Sequence, residues 1–534
     1  MSMKRIALRT VIALTLAAPI AQAQTHDHGV ARLGMVEFKV SCTPAAQTKF
    51  HVAMALYHSF AWPQAIAAFK DIAATDPACG MAQWGLAMSL LGNPFVWPAG
   101  QTPAFLDTVV AALDAAKMAG LKSEREQAYV AALSVMVRDY VSKPHAARLQ
   151  AYDEAMAALA ARFPEDTEAK ILAALATSTN FNPTDKAYTN QLKAAAILEP
   201  LFKSYPNHPG IAHYLIHSYD YPPIADKGLP FAKAYAAIAP DAAHALHMSA
   251  HIFTRVGYWK ESIAANRESA RVAGDATFDG HHASDYMVYA HLQLAQDGAA
   301  RTAMAVSLTM KPVDNFAAAY AYAAMPARTA LEAGDWAAAA ALALAPAGDY
   351  PWKKYPHAEA VNAFARGIGT GRAGNAAGAS AQQARLVQLR EAAREAKLTY
   401  WVEQIDIQAA IIGALVQCAE GKQTPCADAL RAAAAREDAT EKHVVTPGPL
   451  IPARELLAEM LLEQKQFAAA LTEYEAVMKK EPNRYRAIAG AMAAAVGAGN
   501  AARAKALAGE LAKLGSEADT QRASLAEARR IAGG

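Results

Sequence analysis

Five histidines fall in two blocks, His213-Tyr214-Leu215-Ile216-His217 and His244-Ala245-Leu246-His247-Met248-Ser249-Ala250-His251. His213 to His247, and His217 to His251, are each a step of 34 residues. That is the length of a helix–turn–helix repeat that stacks on its own copies. Histidines four apart share one helix face, with Cβ atoms roughly 5–6 Å apart. Packed helices lie about 8–10 Å axis to axis. Imidazoles from two neighbouring helices therefore reach a common ion at about 2.0–2.1 Å. All-imidazole ligation suits Zn, Cu, Fe or Ni. Met248 and an exported setting add weight to copper, so the expected cofactor is a transition-metal ion of the Cu or Zn class. His213, His217, His244, His247 and His251 are its candidate ligands. An open coordination position would let such an ion activate water or O2; a closed four-His site would be structural or a store.

The elements that must place these rings are helices. Of 16 histidines, nine lie between residues 208 and 291. The chain is Ala-rich and its glycines are scattered, which reads as closely packed helices with little strand. With 534 residues, it is too long for one ordinary core. Helix-pair units recur. Gly257-Tyr258-Trp259, Gly334-Asp335-Trp336, Gly374-Asn375 and Gly499-Asn500 look like inter-helix turns, where glycine supplies a left-handed backbone. Ala65 precedes Pro77, and Ala470 precedes Pro482, by twelve residues, as in a tetratricopeptide repeat. The expected fold is all-α, a tetratricopeptide-repeat-like α-solenoid of stacked helical hairpins. The units are regular at about residues 45–95, 205–345 and 450–515, with irregular helices at 120–200. Breaks at 345–360 and 437–452 suggest a His-bearing solenoid over 45–345 and a second helical region over 346–534.

With Gly257 at the turn, His244, His247 and His251 take positions 2, 5 and 9 of a repeat's first helix, and His213 and His217 take positions 5 and 9 of the one before. These positions line the concave groove of such solenoids. Asp220, Tyr221 and Arg255 follow on the same groove, and His58 aligns there too. Asp220, Tyr214 and Tyr219 are candidate partners for the second nitrogen of a bound imidazole. The competing reading is a non-catalytic scaffold that holds a peptide or envelope protein in that groove. His281-His282 would cap a helix or extend the site, His291 would sit in the core, and His208 would open its helix. The segment from Glu437 to His443, running into Pro447 and Pro449, reads as a charged connector or as a loop projecting into the groove.

The remaining features bound the function. Lys and Arg number 51 and Asp and Glu 49, a net charge of +2, which suggests no nucleic-acid surface. Lys4-Arg5, an apolar run from Ile6 to Ile20 and Ala21-Gln22-Ala23 fit a cleavable signal peptide over residues 1–23, followed by an extension over 24–44. The apolar run is shorter than a spanning helix, and no later segment reads as an integral span. An exported, periplasmic location is expected. Cleavage would leave Gln24-Thr25-His26, with His28 close by, a set able to wrap Cu(II) or Ni(II) in a square plane; a disordered tail whose Gln24 cyclises is the favoured reading. Four cysteines suit that compartment, pairing as Cys42 with Cys79 and Cys418 with Cys426. Phosphate-loop, dinucleotide-fold, serine-elbow and His-Glu-x-x-His signatures are all missing from the sequence.

The chain resembles exported bacterial tetratricopeptide-repeat proteins of poorly defined function. The matching stretches are residues 56–60 (Leu56-Tyr57-His58-Ser59-Phe60), 76–88, 208–222, 244–255 and 437–443. The resemblance covers nearly all of the expected mature chain and implies an exported α-solenoid, with no established reaction. Members often carry Pro where this chain has Ser249 and Val444, so local geometry there is expected to differ.

Overall fold

The computed structural model describes residues 31–97, 101–182, 184–274 and 277–533. The expected signal peptide over residues 1–23 and the His26 motif lie outside the described residues. The described residues from Arg32 onward form one compact unit, to which all of the described helices belong.

The described residues contain α-helices and three short 3-10 helices, with no strand among them. Most helices pack chiefly on the one before and the one after, so the chain is an α-solenoid of stacked hairpins. The turns are local and legible. Gly257, Gly334, Gly374 and Gly499 all have φ between 68° and 75°, a region open to glycine at little cost. At three of these turns the next helix is then capped by a side chain: Asp335 accepts from the Ala338 N–H, Asn375 from Gly378 and Asn500 from Arg503.

Two large apolar clusters form the interior, one built from residues between 33 and 253, the other from residues between 295 and 528. The helix Phe278–Gln293 belongs to neither, and its Val288, Tyr289, Ala290 and Leu292 pack in two small clusters of their own. Three helices carry the histidine blocks to that junction: Pro209–Tyr219 (the first His helix), Ala243–Arg255 (the second) and Phe278–Gln293 (the third). His281 and His282, expected ahead of a helix, lie inside the third.

The helix Thr399–Ala419 has the length and mean hydropathy (1.2) of a membrane span, which the sequence reading passed over. Here its Ile405, Ile407, Ile411 and Leu415 are buried in the second cluster. It packs between the helices Ala376–Glu395 and Gln423–Ala439.

Both expected cysteine pairs are joined. Cys418–Cys426 closes the hairpin turn after Thr399–Ala419. Cys42–Cys79 ties the entry of the first helix to the start of the helix Gly80–Leu90, across a separation of 37 residues. Replacing Cys42 and Cys79 by Ser should cost the N-terminal hairpins roughly 2–4 kcal/mol by freeing the unfolded chain. Hydrogen exchange should quicken across residues 44–90 and stay unchanged around Cys418.

Candidate metal centre

The three His helices bring six imidazoles together, in two trios. In the first, one nitrogen each of His213, His217 and His244 lie within 4.8 Å of one another; in the second, the same holds for His247, His251 and His282. Apart from the partly covered His244, these residues are only 0–7 % exposed. The positions expected to line an open groove are therefore sealed. Gly210 shows how tight the packing is: a Cβ there would sit 2.5 Å from the Nδ1 of His58.

Hydrogen bonds fix which nitrogen is free in three of the rings, His213, His247 and His251. His213 Nδ1–H donates to the His58 carbonyl at 2.6 Å. A neutral imidazole has one N–H, so His213 Nε2 keeps its lone pair, and it is buried with no partner. The Nε2 atoms of His217 and His244 are likewise buried and unpartnered. In the second trio, Asn266 donates its amide to the Ser262 carbonyl at 2.7 Å. Its oxygen is thereby turned to accept from His247 Nδ1–H at 2.6 Å. His251 Nδ1–H donates to the Asp220 carboxylate at 2.9 Å. Both Nε2 atoms are then lone-pair ends, yet they face each other at 3.0 Å. An imidazolium between them is disfavoured, because burial lowers His251 and takes His247 down to about 3. A shared cation would satisfy both nitrogens. Two nitrogens about 2.0–2.1 Å from one ion would stand this far apart at an angle near ~95°.

Asp220 anchors this wall. One carboxylate oxygen accepts from Arg255 Nε at 2.8 Å; the other accepts from His251 Nδ1 and from Lys442 Nζ, both at 2.9 Å. Burial works to raise Asp220, but Lys442 and Arg255 outweigh it and hold the carboxyl well below its ordinary range. Burial lowers Lys442 to about 8, against the pull of Asp220. Lys442 comes from the connector between Gln423–Ala439 and Ala453–Glu463, which does project onto the His helices. Buried Arg328 pins it, bonding Asp285 of the third His helix at 3.0 Å, Thr446 Oγ1 at 3.0 Å and the Gly448 carbonyl at 2.9 Å. Tyr286, packed on His247 and His251, donates to the Thr446 carbonyl at 3.2 Å.

Other expected residues fall elsewhere. His58 lies beneath the first trio, accepting from Tyr214 Oη at 2.8 Å and donating to Glu168 at 3.0 Å. His208, which does open its helix, donates to the other Glu168 oxygen at 2.8 Å. This His–Glu–His group could also hold an ion by distance, but every nitrogen and oxygen in it is already bonded. Cys42 and Cys79, near Asp76, are spent on their disulfide. Tyr214 thus serves His58 and not a trio ring. Tyr219 donates to Glu199 at 2.7 Å, and Tyr221 accepts from Gln191 at 3.2 Å, so neither tyrosine orients an imidazole. His281 turns away to Ser307 and the Lys311 carbonyl, and His291 bonds Gln296.

Sequence reasoning missed Asn266, Lys442, Tyr286 and two phenylalanines. Phe95 stacks on His217 at 3.9 Å and Phe60 on His244 at 5.2 Å between ring centroids. Phe60 has φ +54°, a costly conformation for a bulky residue. It was visible only as the end of the stretch 56–60.

No protein-family model matches the chain, and none of the curated proteins does. Among solved structures, the chain is similar to one titled "Structure of Naa15/Naa10 bound to HypK-THB", at 13 % identity and a TM-score of 0.25, covering 91 % of this chain and 74 % of that one. It is also similar to the tetratricopeptide-repeat domain of P58(IPK), at 9 % identity and a TM-score of 0.21, covering 92 % and 98 %. Overlaps at that level carry no argument about function.

Two outcomes follow from the charges. Removing the carboxylate (Asp220→Ala) leaves Arg255 and Lys442 buried without the acid that pairs with both and should cost about 3–5 kcal/mol in urea unfolding. Glu437, which lines a cavity of about 90 Å³ beside Lys442, is raised by burial to about 7, with Lys480 opposing. Between its unfolded value near ~4.3 and 7, the native state holds the extra proton, so stability falls as pH rises across that window. Glu437→Gln should therefore stabilise the fold at pH 8.5 and make no difference below pH 4, as read by thermal midpoints.

Proposed function

We propose that the protein is an exported tetratricopeptide-repeat-like solenoid that binds a transition metal, of the Cu or Zn class, through its His helices. One observation carries the reading. Buried imidazole nitrogens converge without other polar partners: the Nε2 atoms of His247 and His251 face each other at 3.0 Å, and those of His213, His217 and His244 have no hydrogen-bond partner. Leaving a buried polar atom unpaired costs about 1–3 kcal/mol. A structural packing role would leave that penalty standing several times over, whereas bound metal would satisfy these atoms. The outer partners also suit this reading. A carboxylate, an amide oxygen and a main-chain carbonyl each take an Nδ1–H and so present Nε2 outward, the usual arrangement around a metal-bound histidine. The donor atoms, up to 4.8 Å apart, need only move in by a fraction of an ångström to reach a common ion.

The scaffold reading, a peptide or envelope protein in the groove, has less support at this site. A peptide has little access to these rings, five of which are buried, with the connector carrying Lys442 lying against Asp220 beside them. Export is supported by the pair of disulfides, which persist in oxidising compartments, and by the signal-peptide pattern of residues 1–23. The division near residue 345 remains part of this proposal.

The untagged protein, dialysed against metal-free buffer, should retain copper or zinc by elemental mass spectrometry, and a His213→Ala/His247→Ala double variant should retain none. Equal metal in both, or none in the wild type, would sink the reading. Metal added back to the apo protein should raise its thermal midpoint, because only the folded state has the site.

A further inference from the structure

We infer that this site takes two transition-metal ions side by side, one on each trio. The inference rests on the metal-binding reading above and adds the number and placement of the ions. Six imidazoles are more than a tetrahedral N-ligated ion accepts. The donor atoms divide into two groups: one nitrogen from each ring of a trio lies within 4.8 Å of the other two. Each trio is built around a central ring, with centroids 4.9 Å apart for His213–His217, 5.1 Å for His213–His244, 4.9 Å for His247–His251 and 4.3 Å for His247–His282. His217–His251 at 6.1 Å and His244–His247 at 6.2 Å bring the two groups side by side. The two donor groups share no residue.

Each trio also has its own outer support. The His58 carbonyl orients His213, while Asn266 and Asp220 orient His247 and His251. Three nitrogens per ion leave one position open on each. Asp220, the carboxylate bonded to His251, is already matched by Arg255 and Lys442.

The test counts ions and asks whether they interact. It uses the full chain carrying His26→Ala, so that an N-terminal motif contributes nothing. Apo protein is loaded with Zn(II) for counting and with Cu(II) for electron paramagnetic resonance, and unbound metal is removed. The expected count is two Zn per chain, falling to one in His217→Gln and to one in His282→Gln. The expected Cu(II) spectrum is broadened or diminished in the parent and that of an ordinary isolated ion in each variant. A parent count of one overturns the pair while leaving the metal reading intact. A parent spectrum equal to the sum of the two variant spectra overturns their adjacency. A count of zero removes both the pair and the reading beneath it. If either variant fails to fold by circular dichroism, the parent count and spectrum still decide.

Discussion

The carboxylate of Asp220 is the constraint on which the His wall depends. Taking an ion of this kind out of water costs several kcal/mol, and only close partners offset it. Here the partners come from two places: His251 and Arg255 on the second His helix, and Lys442 on the distant connector. Asp220 itself ends the first His helix. One carboxylate therefore sets the tautomer of an imidazole, the spacing of two helices and the landing point of a segment 222 residues away. Arg328 repeats the logic on the third His helix, linking Asp285 to Thr446 and Gly448. Both sides of the connector are held by buried charge, and apolar packing fills in around them.

A comparison inside the molecule sharpens what is unusual about the trios. The His58–Glu168–His208 group is as deeply buried and as rich in candidate ligands. Yet its donors and acceptors pair off completely, with Glu168 held well below its usual range by its two imidazole partners against the effect of burial. Such a group needs nothing more and reads as a structural clasp under the first trio. The trios fail the same accounting at several atoms a few ångströms apart. Native interiors seldom leave several buried polar atoms unpaired together.

Much of this was legible from residue spacing. The 34-residue step and the four-residue pairs placed His213, His217, His247 and His251 on facing turns, and the glycine turns located the hairpins that set the phase. Periodicity then misleads at the third helix. A further step of 34 from His247 arrives at His281, which bonds Ser307. The ring that joins the trio is His282, because the register slips by one residue there. One residue is about 100° on a helix, so the slip exchanges which histidine faces inward. Lys442 was out of reach for another reason. It lies in an aperiodic connector, and nothing local says where such a segment will come to rest. Its neighbours Glu437 to His443 stood out only as a motif. The buried Asn266 gave no signal at all, since an asparagine in a helix is ordinary until its neighbours are known.

The span between Asp220 and Lys442 also has a temporal meaning. The His helices are neighbours in sequence and can stack as soon as they leave the ribosome or a translocation pore. The cover arrives only after another long stretch of chain has emerged and found its place, and distant closures of this sort form late. For an interval, then, the rings stand assembled under an open sky, and anything they are to enclose can walk in before the door is hung.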